Sequence, residues 1–152
     1  MIQRIQTVYL FLACALCVVC LSTSLGQIYT AGGDKTAELF NLWMTMSDGH
    51  RTFQPWALFG ILLVPATLSF LAIFMFRRRA VQMRTCILSI VILVGWYLTY
   101  AFFAYTLSKA LSGTFRPSVT AALPFVSIVF LYLAFRGILK DEMLVRSLDR
   151  LR

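Results

Sequence analysis

Four long apolar runs dominate this chain, over residues 7–26, 56–76, 85–108 and 119–139. Each holds about 20 residues or more, enough for a helix rising 1.5 Å per residue to cross the ~30 Å hydrocarbon core of a bilayer. The first three contain no Asp, Glu, Lys, Arg or His, and the fourth carries only Arg136, in its last turn. A long side chain there can snorkel to the interface. A water-soluble fold is excluded by composition: 13% of the residues are charged, against roughly 25% in soluble domains. The expected fold is an all-α integral membrane protein with four transmembrane helices. What remains of the 152 residues is an external loop over 27–55, short links and a tail over 140–152, so the chain reads as one domain.

The first run imitates a signal peptide, with Arg4 ahead of it and "LSTSLGQ" behind it. Its length of about 20 residues exceeds the 7–15 of a typical signal core, and the run is expected to remain as a span. A lipoprotein signal ending at Cys14 would leave too short an apolar stretch before it.

The net charge of +8 is read as topology. With four spans both termini share a side, which then holds Arg4, Arg77, Arg78, Arg79, Arg84, Arg136, Lys140, Arg146, Arg150 and Arg152. The other side holds Lys35, Arg51, Lys109 and Arg116. Basic residues concentrate on the cytoplasmic side of membrane proteins, so both termini are expected there. Arg77, Arg78, Arg79 and Arg84 set that orientation from the turn between spans two and three. A basic turn so explained gives no ground for a nucleic-acid partner.

The first external loop is long enough for structure. In "WMTMSDGHRTFQPW", Asp48-Gly49 is the favoured pair for a two-residue type I′ turn between β-compatible flanks, and Gly32-Gly33 can turn a preceding strand. A hairpin or three-stranded sheet capping the helices is expected, with Trp43, Phe53 and Trp56 near the outer headgroups. The second loop, from Lys109 to Ser118, reads as a short link. His50, the only histidine, has no cysteine or carboxylate pair beside it, so no metal site is expected.

Within the spans, three features could carry chemistry. "CALCVVC" spaces Cys14, Cys17 and Cys20 three apart, as in part of an iron–sulfur motif. Inside a continuous helix, however, each step turns about 60° and the three spread over one broad face, where they pack as small apolar residues. The competing reading is a thiol oxidoreductase. In the third run, Trp96, Tyr100 and Phe103 share a face, with Trp96 and Tyr97 near the middle of the bilayer. Their polar tips need partners, and the face is expected to pack against neighbouring helices with those tips bonded to Ser or Thr; in the competing reading Trp96, Tyr97 and Tyr100 line a pocket for a quinone or lipid. Gly95 and Thr99, a small-xxx-small pair, mark a close helix approach. Pro65 and Pro124 are expected to kink spans two and four. Each precedes a Phe-Arg pair at the same offset, a hint of an internal repeat. No ionisable residue faces a membrane interior, and phosphate loops and nucleophile elbows are missing. No catalytic residue, metal ligand or cofactor is therefore nominated.

The tail "KDEMLVRSLDRLR" continues the fourth span as an amphipathic helix. Leu144, Leu148 and Leu151 form a narrow stripe with Val145 beside it, and Arg146 and Arg150 flank it. Glu142 and Arg146 stand in the favourable i, i+4 order. The stripe suits either the membrane surface or a protein partner.

"MIQRIQTVYL", "IFMFRRRAVQMRTCIL" and "AFRGILKDEMLVRSLDRLR" resemble a family of small four-helix inner-membrane proteins of Bacteroidetes-type bacteria, known as domain of unknown function 4293. The resemblance runs end to end and implies a bacterial inner-membrane location. It implies no activity and no site residue. The function expected is that of a non-enzymatic accessory or scaffold subunit, in contact with the bilayer and with a membrane or cytoplasmic protein. A lipid- or quinone-binding protein is the first alternative and a thiol oxidoreductase the second.

Overall fold

The computed structural model describes residues 2–30, 32–75 and 78–149. Four helices carry the apolar runs: α1 (Ile2–Ser22), α2 (Trp56–Phe74), α3 (Arg79–Ala110) and α4 (Leu123–Asp149). All four are long and apolar enough to cross a membrane. Their buried share runs only from 22% in the third to 33% in the second, so most of each apolar surface faces outward and requires hydrocarbon around it. Each helix packs on its sequence neighbours, and α4 closes the ring against α1.

Small residues permit that packing. Ala13, Cys17 and Cys20 on α1 face inward with Ala66, Ser69 and Ala72 on α2, Cys86 and Ser89 on α3, and Ser127 and Ala134 on α4. Between apolar helices in lipid, association comes from close contact and a few hydrogen bonds, which small residues allow. The tight approach is at Gly137: a Cβ there would meet the Gln6 side chain at 3.0 Å. It is not at the expected Gly95–Thr99 pair, since a Cβ at Gly95 would meet nothing within 4 Å and Thr99 bonds back to Gly95 O. Nor does Pro124 kink a span. It is the second residue of α4, where a missing N–H costs nothing, and residues 119–122 ahead of it form a 3-10 turn. Pro65 does lie inside α2.

The sheet expected in the first loop is larger than a hairpin or three strands. Its order is β4-β3-β2-β1-β5, all antiparallel, with β1 (Ser24–Tyr29), β2 (Lys35–Phe40), β3 (Met44–Met46), β4 (Arg51–Thr52) and β5 (Thr114–Pro117). The first loop supplies four strands, not two or three. The second is no plain link, because β5 adds to the far edge of β1. Two glycines admit it: a Cβ at Gly113 would meet Ile28 Cγ2 at 2.7 Å and Tyr29 O at 2.8 Å, and one at Gly26 would meet Arg116 O at 2.9 Å. Strand β1 starts inside the first expected span, so α1 ends at Ser22 instead of reaching residue 26. A bulge between Ser24 and Gly26 lets Leu25 and Gly26 both turn inward.

Asp48-Gly49 does turn the β3–β4 hairpin, by a different turn. Met46 O accepts from Gly49 N at 3.0 Å and Met46 N donates to His50 O at 3.0 Å, closing a three-residue loop. Only Gly49 takes a positive φ, +78°, whereas a type I′ turn needs one at Asp48 too. Gly33, φ +86°, closes the β1–β2 turn with the same pair of bonds to Thr30 and Asp34. Ile28, Ala37, Leu39 and Met44 line the sheet's inner face. Arg116, Gln27, Glu38, Thr45 and Arg51 stand opposite one another across all five strands on the outer face.

Candidate functional site

The sheet meets the bundle at the aromatic residues of α3. Asn41, in the β2–β3 turn, is fully buried; its Nδ2 donates to Cys20 O at 2.6 Å and its Oδ1 accepts from Trp96 Nε1 at 3.3 Å. Trp96 therefore lies at the sheet end of the bundle and not midway along it. Length explains the difference: α3 spans about 48 Å at 32 residues against about 31 Å for the 21 of α1. The extra length runs beside the sheet. Trp96 stacks on Tyr100 with ring centroids 5.3 Å apart and meets Tyr97 edge-on at 5.1 Å.

Of the three aromatic candidates, two border an open apolar recess of about 560 Å³. Tyr97 and Tyr100 line it from α3, Pro117, Ser118, Val119, Ala121 and Ala122 from the segment before α4, and Phe125 from α4. Trp96 is fully buried behind them and does not reach it. Tyr97 Oη donates to Ala121 O at 2.8 Å and accepts from Phe125 N at 2.9 Å. Tyr100 Oη donates to Leu25 O at 2.9 Å. The partners expected from Ser or Thr side chains are thus backbone groups of the 3-10 turn, of the first turn of α4 and of β1. Asn41, absent from the expectations, holds the junction. Its one sequence signal is a polar residue between the apolar "LF" and "LW".

The cysteines behave as small core residues. Cys17 and Cys20 are fully buried and Cys14 partly so, with no disulfide. Cys17 Sγ donates to Ser127 Oγ at 3.6 Å, and Ser127 Oγ reaches Ala13 O at 3.3 Å and Leu123 O at 3.2 Å. No group of three or more His, Cys, Asp and Glu among the described residues could hold a metal.

At the opposite end of the bundle, Gln6 Nε2 donates to Asp141 Oδ2 at 2.7 Å and Arg79 Nη1 to Asp141 O at 3.3 Å, which ties α1 and α3 to the start of the tail. Gln82 Nε2 donates to Ala72 O at 3.1 Å near the end of α2. Arg78 and Arg84 are exposed. Arg77, Arg150 and Leu151 lie outside the described residues, as do the side chains of Arg146 and Leu148. Leu144 and Val145 are exposed, and so is Met143, 57% accessible and missing from the expected stripe.

On the sheet, Trp43 is held between Phe40, 5.3 Å away, and Arg51, whose guanidinium lies 5.6 Å from its ring. Phe53 and Trp56 are exposed where α2 begins. Lys35 bonds Glu38 Oε2 at 2.9 Å and holds its carboxyl below the usual range.

The chain belongs to the family described as Domain of unknown function (DUF4293), whose family model matches residues 2–151. A comparison with curated proteins finds no match.

Proposed function

We propose that the protein is a non-enzymatic accessory or scaffold subunit of a membrane assembly, seated in the bacterial inner membrane with both termini cytoplasmic. The observation that carries this reading is the continuity of α4, one uninterrupted helix from Leu123 to Asp149. Asp141 ties the start of the tail to α1 by a side-chain bond, and beyond it Met143, Leu144 and Val145 expose apolar side chains. A helix lying in the headgroup plane has to turn sharply away from its span, which requires a proline, a bulge or a broken ladder. Residues 138–149 hold no Pro or Gly, and the helix carries on unbroken. An apolar patch projecting beyond the bundle suits the groove of a protein partner better than a lipid surface. The excess of basic residues at that end supports its cytoplasmic placement.

The test is native purification of the full chain and of a truncation lacking residues 143–152, which keeps Asp141 and its bonds. The full chain brings down a stoichiometric protein, and the truncation inserts and folds but loses it. If the full chain brings down none, or the truncation keeps it, the reading fails.

A further inference from the structure

The recess beside Tyr97 and Tyr100 has walls, a setting and a chemistry that together specify an occupant. Its volume of about 560 Å³ lies within the 300–1,000 Å³ typical of small-molecule sites. The exposed surface around it is apolar: Val119 and Phe125 on the rim are 88% and 62% accessible, and Leu98 on α3 is 70% accessible. Leu98 continues an outward stripe from Ile87, Val91 and Val94, spaced by three or four residues along one face of a spanning helix. The medium at the mouth is therefore hydrocarbon or its boundary with the headgroups.

The walls are also held in place. Tyr97 ties α3 to the 3-10 turn and to the first turn of α4 through Ala121 O and Phe125 N. Tyr100 ties α3 to β1 through Leu25 O, which also accepts from Ser118 N at 2.9 Å. A preformed cleft spares its ligand part of the ordering cost of binding. The same bonds decide the ligand class. A quinone ring buried here needs donors for its carbonyls, because an unpaired buried carbonyl costs about 1–3 kcal/mol. The two tyrosine hydroxyl protons on the wall are already given to backbone carbonyls, and the Trp96 N–H behind them goes to Asn41, which leaves Ser118 on the lining as one hydroxyl donor for a quinone's two carbonyls. What the aromatic wall offers is ring surface.

We infer that this recess binds one aliphatic chain, acyl or isoprenyl, of a membrane lipid at the junction of sheet and bundle. The site presents to it the rings of Tyr97, Tyr100 and Phe125 and the apolar side chains of Val119 and Ala122.

The experiment uses the full-length protein in phosphatidylethanolamine–phosphatidylglycerol vesicles. One sample carries a trace of phospholipid with a photoactivatable diazirine in its acyl chain, and a second carries an isoprenyl alcohol labelled in the same way. Adducts are mapped by mass spectrometry. With at least one probe, labelling concentrates several-fold on residues 117–125 over the Val91–Leu98 stretch of α3. Which probe does so identifies the chain. Ala122→Trp, an exposed position on the wall, abolishes the concentration and leaves α3 labelling unchanged. Should that variant fail to fold, Val119→Trp on the rim serves the same purpose. Even labelling of all outward helix faces with both probes, or labelling unmoved by the folded variant, shows bulk lipid only and overturns the inference. Displacement of the probe by a tail-less benzoquinone overturns the aliphatic class.

Discussion

Trp96 gives its indole proton to Asn41, 3.3 Å away, and Asn41 passes a proton of its own to the carbonyl of Cys20. Three elements distant in sequence are joined by one amide: the end of α1, the turn between β2 and β3, and α3. None of these groups is reachable by water, since Asn41, Trp96 and Cys20 are all fully buried. Asn41→Leu leaves the Trp96 N–H without a partner and the Cys20 carbonyl with only Thr23 Oγ1, 3.4 Å away, and a buried group left unpaired normally costs about 1–3 kcal/mol. The variant is expected to unfold at lower denaturing-detergent fraction than the native chain. In a background with Trp43 and Trp56 replaced by Phe, its Trp96 emission should shift as the indole loses its partner. Unchanged stability and emission would count against this junction.

The two external loops act as one sheet only because β5 lies close to β1. Gly113→Ala puts a methyl group 2.7 Å from Ile28 Cγ2 and 2.8 Å from a backbone oxygen. Overpacking of that kind costs about 1–3 kcal/mol. Amide exchange is expected to accelerate in residues 114–117, while β2 and β3 and the helical circular dichroism stay as they are. Equal exchange in both proteins would mean that the close approach carries no strain.

Ser112 ends α3 in the left-handed region, φ 47°. The turn closes through Ser112 N to Lys109 O and Gly113 N to Ser108 O, and Ser108 Oγ reaches Gly113 O. A side chain in that conformation costs about 1–2 kcal/mol, and glycine's extra freedom in the unfolded chain returns about 0.5–1 of it. Ser112→Gly is therefore expected to stabilise by roughly 0.5–1 kcal/mol, visible as a raised melting temperature in mild detergent.

Two buried serines are expected to answer alanine differently. Ser127 Oγ receives Cys17 and contacts the carbonyls of Ala13 and Leu123, whereas Ser89 Oγ is buried with no hydrogen-bond partner among the described residues. Bonds between membrane helices average about 0.6 kcal/mol, so Ser127→Ala should destabilise by that order. Ser89→Ala removes an unsatisfied hydroxyl and should be neutral or stabilising. Unfolding of both variants in one detergent series makes the comparison, and the reverse ranking would refute it.

Much of the framework could be read from residue order alone. The four spans follow from apolar length. The use of Cys17 and Cys20 as packing residues follows from the absence of a loop to wrap a metal. Asp48-Gly49 marked the β3–β4 turn, though not its type, because two-residue and three-residue hairpins both favour glycine there and differ in loop length and in the φ of the residue before it. The pairing of Trp96 with Tyr100 was visible in helical spacing. The depth of Trp96 was not, since hydropathy treats all of 85–108 as uniformly apolar and cannot show that the sheet reaches down to it.

By itself, then, the sequence determined that this chain has four helices long and apolar enough to cross a membrane, a folded cap between the first two and a helical tail, because those properties depend on local composition and period. Only the tertiary structure decided that residues from both loops complete one sheet, that Asn41 binds the cap to the bundle, and that Tyr97 and Tyr100 turn their ring faces to a recess. Each of these depends on which polar groups meet after the helices pack. A donor or acceptor 21, 55 or 75 residues away in sequence leaves no periodic trace in the chain.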